Sequence, residues 1–241
     1  STETRRNVQA AATADEEQRA LIMIKENLNK IKSELPSAVT LVAVSKFHPA
    51  SEILEAYNAG QRIFAESRPQ ELAAKVPALP DTIQWHFIGH LQSNKLKMVL
   101  PYVSLIHSVD TEKLMVEINR YAGAHNLKIN CLLEIFIASE ETKQGFSPQE
   151  ALQIVEKAAD FENINICGVM GMASFVEDKE KIRAEFTSLK ELFEMIKNSY
   201  GSSLPDFKII SMGMSNDYPI AIECGSTHVR IGTDIFGARN Y

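Results

Sequence analysis

Short apolar runs alternate with helix-like segments along nearly the whole chain, and no other feature limits the fold as much. Runs at about 39–45, 62–65, 83–88, 102–107, 129–137, 164–170, 207–210 and 228–231 read as eight strands, several without the polar alternation of a half-exposed sheet. Seven segments with helical features lie between them, at about 50–59, 69–76, 92–99, 111–125, 148–160, 178–199 and 216–223. The clearest helix start is Ser147-Pro148-Gln149-Glu150, where a serine cap, a proline in the first turn and a glutamate suited to a capping box coincide. Strands covered on both faces and joined by single helices must be parallel. Eight such units in about 200 residues predict an α/β fold, a single closed (β/α)8 TIM barrel. An open doubly wound sheet competes, but its phosphate fingerprint, GxGxxG after the first strand, is absent.

Ahead of the first strand, Leu21, Ile24, Leu28, Ile31 and Leu35 recur at spacings of three and four. They predict an extra N-terminal amphipathic helix that closes or flanks the barrel floor. Residues 1–14 have few large apolar side chains and read as a flexible lead-in, leaving 15–241 as one barrel domain. The length of 241 residues admits one large domain or two small ones, but no Gly/Ser linker, internal repeat or low-complexity stretch marks a division. The 31 acidic and 25 basic residues, net −6, weigh against a general nucleic-acid or anionic-membrane surface, which needs a basic excess. Cys131, Cys167 and Cys224 are odd in number and widely spaced, so neither a disulfide framework nor a CxxC site is expected. No apolar run approaches the ~18 residues of a membrane span, and the chain starts polar, so a cytoplasmic protein is expected.

In a parallel barrel the reactive residues gather where strands end and loops begin. Lys46 follows the first run directly. A lysine there is partly desolvated, which disfavours its charged form, and a neutral amine can form a Schiff base with a carbonyl. The plainer alternative lays its stem along the rim with the ammonium in water. After the seventh and eighth runs come Ser211-x-Gly213-x-Ser215 and Gly232-Thr233, at the two places where this fold commonly binds phosphate. One opens an expected helix whose free backbone N–H groups favour an anion, glycine admits close backbone approach, and the hydroxyls complete a cage. Ordinary turn and capping chemistry accounts for either loop alone, whereas their joint occurrence points to phosphate. A Schiff-base lysine across the barrel mouth from a phosphate cup is what pyridoxal phosphate (PLP) requires. Arg230, aimed from the last strand at the pyridine nitrogen, would keep that nitrogen unprotonated and weaken the ring as an electron sink. An internal ion pair with a carboxylate is the alternative for it.

His86, His90 and His107 have no carboxylate or cysteine at zinc-ligand spacing among them, so no metal is expected and they read as hydrogen-bonded polar residues of the mouth. Trp85, Met170, Met172, Met212 and Met214 read as packing residues, some along the cofactor ring's apolar side. The acidic helix faces around Glu177 to Glu194 read as solvated.

These residues lie in longer motifs. Leu41-Val42-Ala43-Val44-Ser45-Lys46, the run from Trp85 to Lys95, Gly168-Val169-Met170-Gly171-Met172-Ala173, Ser211 to Ser215 with Asp217, and Val229 to Gly237 occur in order. In them the chain resembles the YggS/PROSC family of PLP homeostasis proteins, which look like the barrel domain of alanine racemase (PLP fold type III) standing alone. The similarity runs from about Leu41 to Arg239. The resemblance implies a covalent Schiff base at Lys46, phosphate held by Ser211, Gly232 and Thr233 with help from Ser215, and Arg230 at the pyridine nitrogen. Met212, Glu66 and His86 complete the cofactor-binding positions expected from it. Two departures stand out: Ala65-Glu66-Ser67, followed by Pro69, replaces the usual Gly-Glu-Asn, and Phe136 stands where an asparagine is often found.

Two functions compete. A racemase needs an acid–base group on each face of the bound amino acid. Lys46 can serve one face; in alanine racemase the other is a tyrosine supplied across a dimer that depends on a second, β-rich domain. Such a domain would need ~100 further residues, and nothing places Tyr102, Tyr121 or Tyr218 over the cofactor. The resemblance therefore implies a monomeric PLP-binding protein of intracellular PLP and vitamin B6 homeostasis, without robust catalysis of its own and with PLP-dependent apoenzymes as partners. A weakly active amino-acid racemase is the alternative, and a Schiff-base aldolase for phosphorylated sugars is a third that would not need Arg230.

Overall fold

The computed structural model describes residues 2–139 and 143–238. The chain begins with α1 (Thr2–Glu34), and eight strands follow: β1 (Thr40–Val44), β2 (Ile63–Glu66), β3 (Gln84–Phe87), β4 (Val103–Val109), β5 (Ile129–Glu134), β6 (Ile164–Met170), β7 (Ile209–Met214) and β8 (His228–Ile231). They pair in chain order, all parallel, and β8 closes on β1 with Val42 opposite Arg230 and Ala43 opposite Ile231. The connections carry α2 (Ala50–Asn58), α3 (Pro69–Lys75), α4 (Glu112–Ala124), α5 (Pro148–Glu156), α6 (Lys179–Tyr200) and α7 (Tyr218–Glu223), with α8 (Thr233–Phe236) after the last strand. The fold is the predicted TIM barrel. The capping box at Ser147 forms in both directions, Glu150 N–H to the serine hydroxyl at 3.1 Å and Ser147 N–H to the glutamate carboxylate at 3.0 Å.

Successive side chains in a strand point to opposite faces, so in a closed barrel each alternate residue enters either the lumen or the helix layer. Ala43, Phe64, Trp85, Phe87, Ile106, Leu133, Ile210, Met212, Val229 and Ile231 join the main core shared with the helices. Leu105, Leu132, Cys167 and Met170 form a separate buried cluster on the opposite faces, which fills the lumen. The lumen also holds inward-facing polar residues, His86, His107, Ser211, Arg230 and Glu134, all buried.

Four expectations change. The helix starts at Thr2 instead of near residue 15; Ala10-Ala11-Ala12 and the charged residues around them are good helix formers although they offer no apolar stripe. Only the second half of α1 packs, burying Ile24, Leu28 and Ile31 against α2 and α8, and Asn27 donates to the Ile235 carbonyl at 3.1 Å. Residues 93–98 form a 3-10 stretch rather than an α-helix. β5 stops at Glu134 instead of 137. β7 runs on to Met214, four residues past the predicted end at Ile210, because its pairing with β8 carries through serine and glycine that are weak strand formers by themselves.

Gly213 makes the end of β7 possible. Its φ is +101°, and a Cβ there would lie 2.7 Å from Ala221 Cβ and 3.0 Å from Tyr218 Cα. Gly213→Ala combines backbone strain with a clash against α7, so urea denaturation is expected to show a loss of about 2–4 kcal/mol. A loss below about 0.5 kcal/mol would mean that the turn relaxes freely.

Candidate functional site

The sequence suggests that the Lys46 turn and the Gly232–Thr233 turn face each other across the barrel mouth. Closure makes them neighbours instead, since β1 pairs with β8 up to Ala43 opposite Ile231. Between these turns and the end of β7 lies a cavity of about 180 Å³. Lys46, Ser215, Arg230, Gly232 and Thr233 all line it, together with Val44, Ile88, Met214 and Asn216. Gly232 allows the close fit of its turn: a Cβ there would come within 3.1 Å of the Val44 carbonyl oxygen and 3.3 Å of Val44 Cβ. Sequence reasoning misses Asn216 although it adjoins Ser215 in the same turn, whose shape is held by Asp217 accepting from Met214 N–H at 2.8 Å.

Ser211, Met212, Glu66 and His86 do not line this cavity. Alternation explains three of them. Ser211 belongs to strand β7, not to a loop, and its side chain enters the lumen. Met212, one residue on, points the other way into the helix layer, and the mouth receives Met214 in its place. Glu66 shares the outward face of Phe64, so its carboxylate lies between the barrel and α3. His86 faces inward but lies deeper than the mouth, hydrogen-bonded to a second histidine.

These lumen residues form one chain. Arg230 Nη1 donates to Ser211 Oγ and Nη2 donates to the Gly171 carbonyl at 3.2 Å. Ser211 Oγ is 2.8 Å from His107 Nδ1, and His107 Nε2 is 2.8 Å from His86 Nδ1. Burial pushes the His86 pKa down to about 3 and His107 well below its usual range, so both rings are neutral near pH 7. One run of donors then satisfies the chain: guanidinium to serine, serine to His107, His107 to His86. Burial also lowers Arg230 to about 10, opposed by Asp217 and Glu134, and it stays charged at neutral pH. His90, by contrast, is exposed at the rim, 3.8 Å from Asp110.

The Lys46 turn is gripped from the opposite, helix-facing side. Ser45 Oγ donates to Glu66 Oε2, and Lys75 Nζ reaches the Ser45 carbonyl at 3.0 Å, Glu66 Oε1 at 2.9 Å and Glu71 Oε1 at 2.7 Å. The Phe47 N–H donates to Glu71 Oε1. His48 stacks on Phe236 of α8 with ring centroids 4.9 Å apart, joining the Lys46 turn to the element that begins at Thr233.

A second cavity of about 220 Å³ shares Met214 with the first and is walled mainly by apolar side chains, Phe136 and Met172 among them. Phe136 therefore lies beside the Lys46 cavity and not in it. Glu134 also borders the second cavity; its Oε2 is buried and has no hydrogen-bond partner among the described residues. Burial first, and Asp110 second, push its carboxyl up to about 7 against the pull of Arg230.

The barrel and its mouth define a class. The family described as "Alanine racemase, N-terminal domain" matches residues 20–240. Within it, the chain is 40% identical over 202 residues to the Pyridoxal phosphate homeostasis protein of Aquifex aeolicus, covering 83% of this chain and 87% of that one. It is 39% identical over 220 residues to the protein of the same name from Schizosaccharomyces pombe, covering 88% and 91%. The solved structure of PipY from Synechococcus elongatus with PLP bound superposes with a TM-score of 0.79 at 34% identity, over 89% of this chain and all of that one. The chain belongs to the pyridoxal phosphate homeostasis protein family.

The raised Glu134 pKa fixes the sign of a pH effect. Between about 4.5 and 7 the folded state holds this proton and the unfolded state releases it, so the group's contribution to stability falls as pH rises through that window. Glu134→Gln removes the titration. Relative to the parent, the variant is expected to be more stable at pH 8 than at pH 5 by up to about 3 kcal/mol in urea unfolding. An identical difference at both pH values would place the carboxyl in a solvated setting.

Proposed function

We propose that this protein binds PLP at the barrel mouth, anchored covalently at Lys46, and acts as a PLP-holding protein in intracellular PLP and vitamin B6 homeostasis. The observation that carries this is the meeting, in one cavity, of a primary amine, a buried guanidinium and two small hydroxyl-bearing turns, in a chain whose relatives bear that name. When bound, PLP supplies an aldehyde that condenses with a primary amine with loss of water, and a phosphate dianion. Lys46 is the amine. Ser215, Asn216, Gly232 and Thr233, which line the cavity together, are the phosphate residues. This revises the expected phosphate set: Ser211, whose hydroxyl is committed to Arg230 and His107, leaves it, Ser215 moves from a helping to a direct role, and Asn216 joins. Arg230 is the residue for the pyridine nitrogen, where a fixed cation disfavours protonation of the ring.

The same cavity supports holding over turnover. Racemisation needs a proton-transfer group on each face of the amino acid. Among the described lining residues Lys46 is the one ordinary acid–base side chain, and Tyr102, Tyr121 and Tyr218 do not line the cavity. PLP-dependent apoenzymes are the recipients in this scheme.

After loading with PLP and reduction with borohydride, peptide mass spectrometry is expected to find the pyridoxyl group on Lys46, and Lys46→Ala to lose it; an adduct on another lysine in the parent protein would overturn the assignment. Ser215→Ala combined with Thr233→Ala is expected to weaken PLP binding about 10- to 100-fold more than pyridoxal binding, from the loss of hydrogen bonds to a charged group. Equal losses for both ligands would refute the phosphate role. Incubation with L-alanine is expected to give no racemisation at an ordinary enzymatic rate, on the order of 1–10³ per second, and turnover in that range would sink the holding function.

A further inference from the structure

Lys46 stands in a two-residue turn whose conformation is not an intrinsic preference of its sequence. Phe47 has φ +67°, the left-handed region, which for a bulky L-residue costs roughly 1–3 kcal/mol unless the surroundings enforce it. The enforcing group is a buried cluster on the helix-facing side of β1 and β2. Lys75, the last residue of α3, brings one ammonium within 3.0 Å of three oxygens: the Ser45 carbonyl, Glu66 Oε1 and Glu71 Oε1. Each of these oxygens leads to a neighbour of Lys46. Ser45 is held directly and again through its hydroxyl on Glu66, while the Phe47 N–H is held by Glu71. Ser45 and Glu66 are fully buried and Lys75 nearly so.

Stability alone does not call for such a cluster. Taking an ammonium and a carboxylate out of water is expensive, and a well-packed apolar pair of similar volume is often as stable or more so. What the ion cluster adds is direction, because it fixes two backbone positions on either side of one side chain. Lys75 does not line the cavity.

We propose that Lys75 is a positioning residue for Lys46: its ammonium, with Glu66 and Glu71, locks Ser45 and Phe47 so that the turn presents the Lys46 amine to the cavity. The proposal rests on Lys46 being the point of covalent attachment.

The test separates attachment from binding. Lys75→Met keeps a flexible stem of similar length and removes the charge. Pyridoxamine 5′-phosphate carries the ring and the phosphate but no aldehyde, so its affinity for the ligand-free protein reports the pocket without the covalent bond. In Lys75→Met that affinity is expected to stay within about twofold of the parent, while the fraction of PLP trapped on Lys46 by borohydride falls at least about fivefold at the same subsaturating PLP concentration. An unchanged trapped fraction overturns the proposal, as does an equal weakening of both ligands. Should the single variant be too unstable to assay, Glu66→Met combined with Lys75→Met removes the buried charges together and is expected to recover thermal stability while trapping stays low. Trapping that recovers along with stability overturns it too. If the parent protein itself gives no Lys46 adduct, the proposed function fails; if the parent gives one and Lys75→Met matches it, only the positioning role fails.

Discussion

Closure of eight parallel strands imposes the constraint from which the rest of this structure follows: no strand retains a face turned to bulk water. Apart from the exposed Gln84, Ser104 and Asn130 near the strand starts, side chains of the barrel wall enter the lumen or the helix layer, and a polar group buried in either place costs free energy unless it finds a partner inside the protein. In the lumen this demand centres on Arg230. Arg230 cannot accept a hydrogen bond, so its neighbours must, and Ser211 and the Gly171 carbonyl do so while two neutral histidines continue the chain downward. The guanidinium is thereby held at the floor of the cavity, with Asp217 and Glu134 near enough to favour its charge.

The mouth is built from both sides of the same sheet. On the lumen side, the ends of β1, β7 and β8 bring together Lys46, Ser215, Arg230, Gly232 and Thr233. On the helix side, directly behind the Lys46 turn, Glu66, Glu71 and Lys75 hold Ser45 and Phe47. Burial here works against the ion pair as well as for it, since it pushes the Glu66 carboxyl up to about 7 although Lys75 lies 2.9 Å away. Buried ion pairs are often no more stabilising than apolar residues of similar volume, and the role proposed for Lys75 rests on the geometry of its contacts. The stacking of His48 on Phe236 extends that geometry to the neighbouring turn, so the amine and the hydroxyl turns are placed by connected elements and not by independent loops.

Much of this is legible in the chain. The alternation of apolar runs and helical segments predicts the closed barrel, and the strand ends point to Lys46, Arg230, Ser215, Gly232 and Thr233. Glu66 is legible as a charged residue at a strand end, but not the side on which it lies. Lys75 is invisible: four residues after Glu71 on a short helix, it reads as half of an ordinary surface pair. The N-terminal half of α1 escapes notice for a different reason, since it is helical by propensity and packs on nothing that an apolar stripe would reveal.

By itself the sequence determined the order of elements, the kind of barrel and the set of loops that converge on its mouth, because hydrophobic periodicity and turn chemistry are local properties. Only the tertiary structure decided which of the candidate residues share a cavity. A single residue of register separates the lumen from the helix layer, so Ser211 and Met212 diverge although adjacent, and Glu66 turns its back on the site it was expected to line. The distance between Lys46 and Thr233 was likewise settled by closure, which joins the first strand to the last and makes neighbours of residues 187 positions apart in the chain.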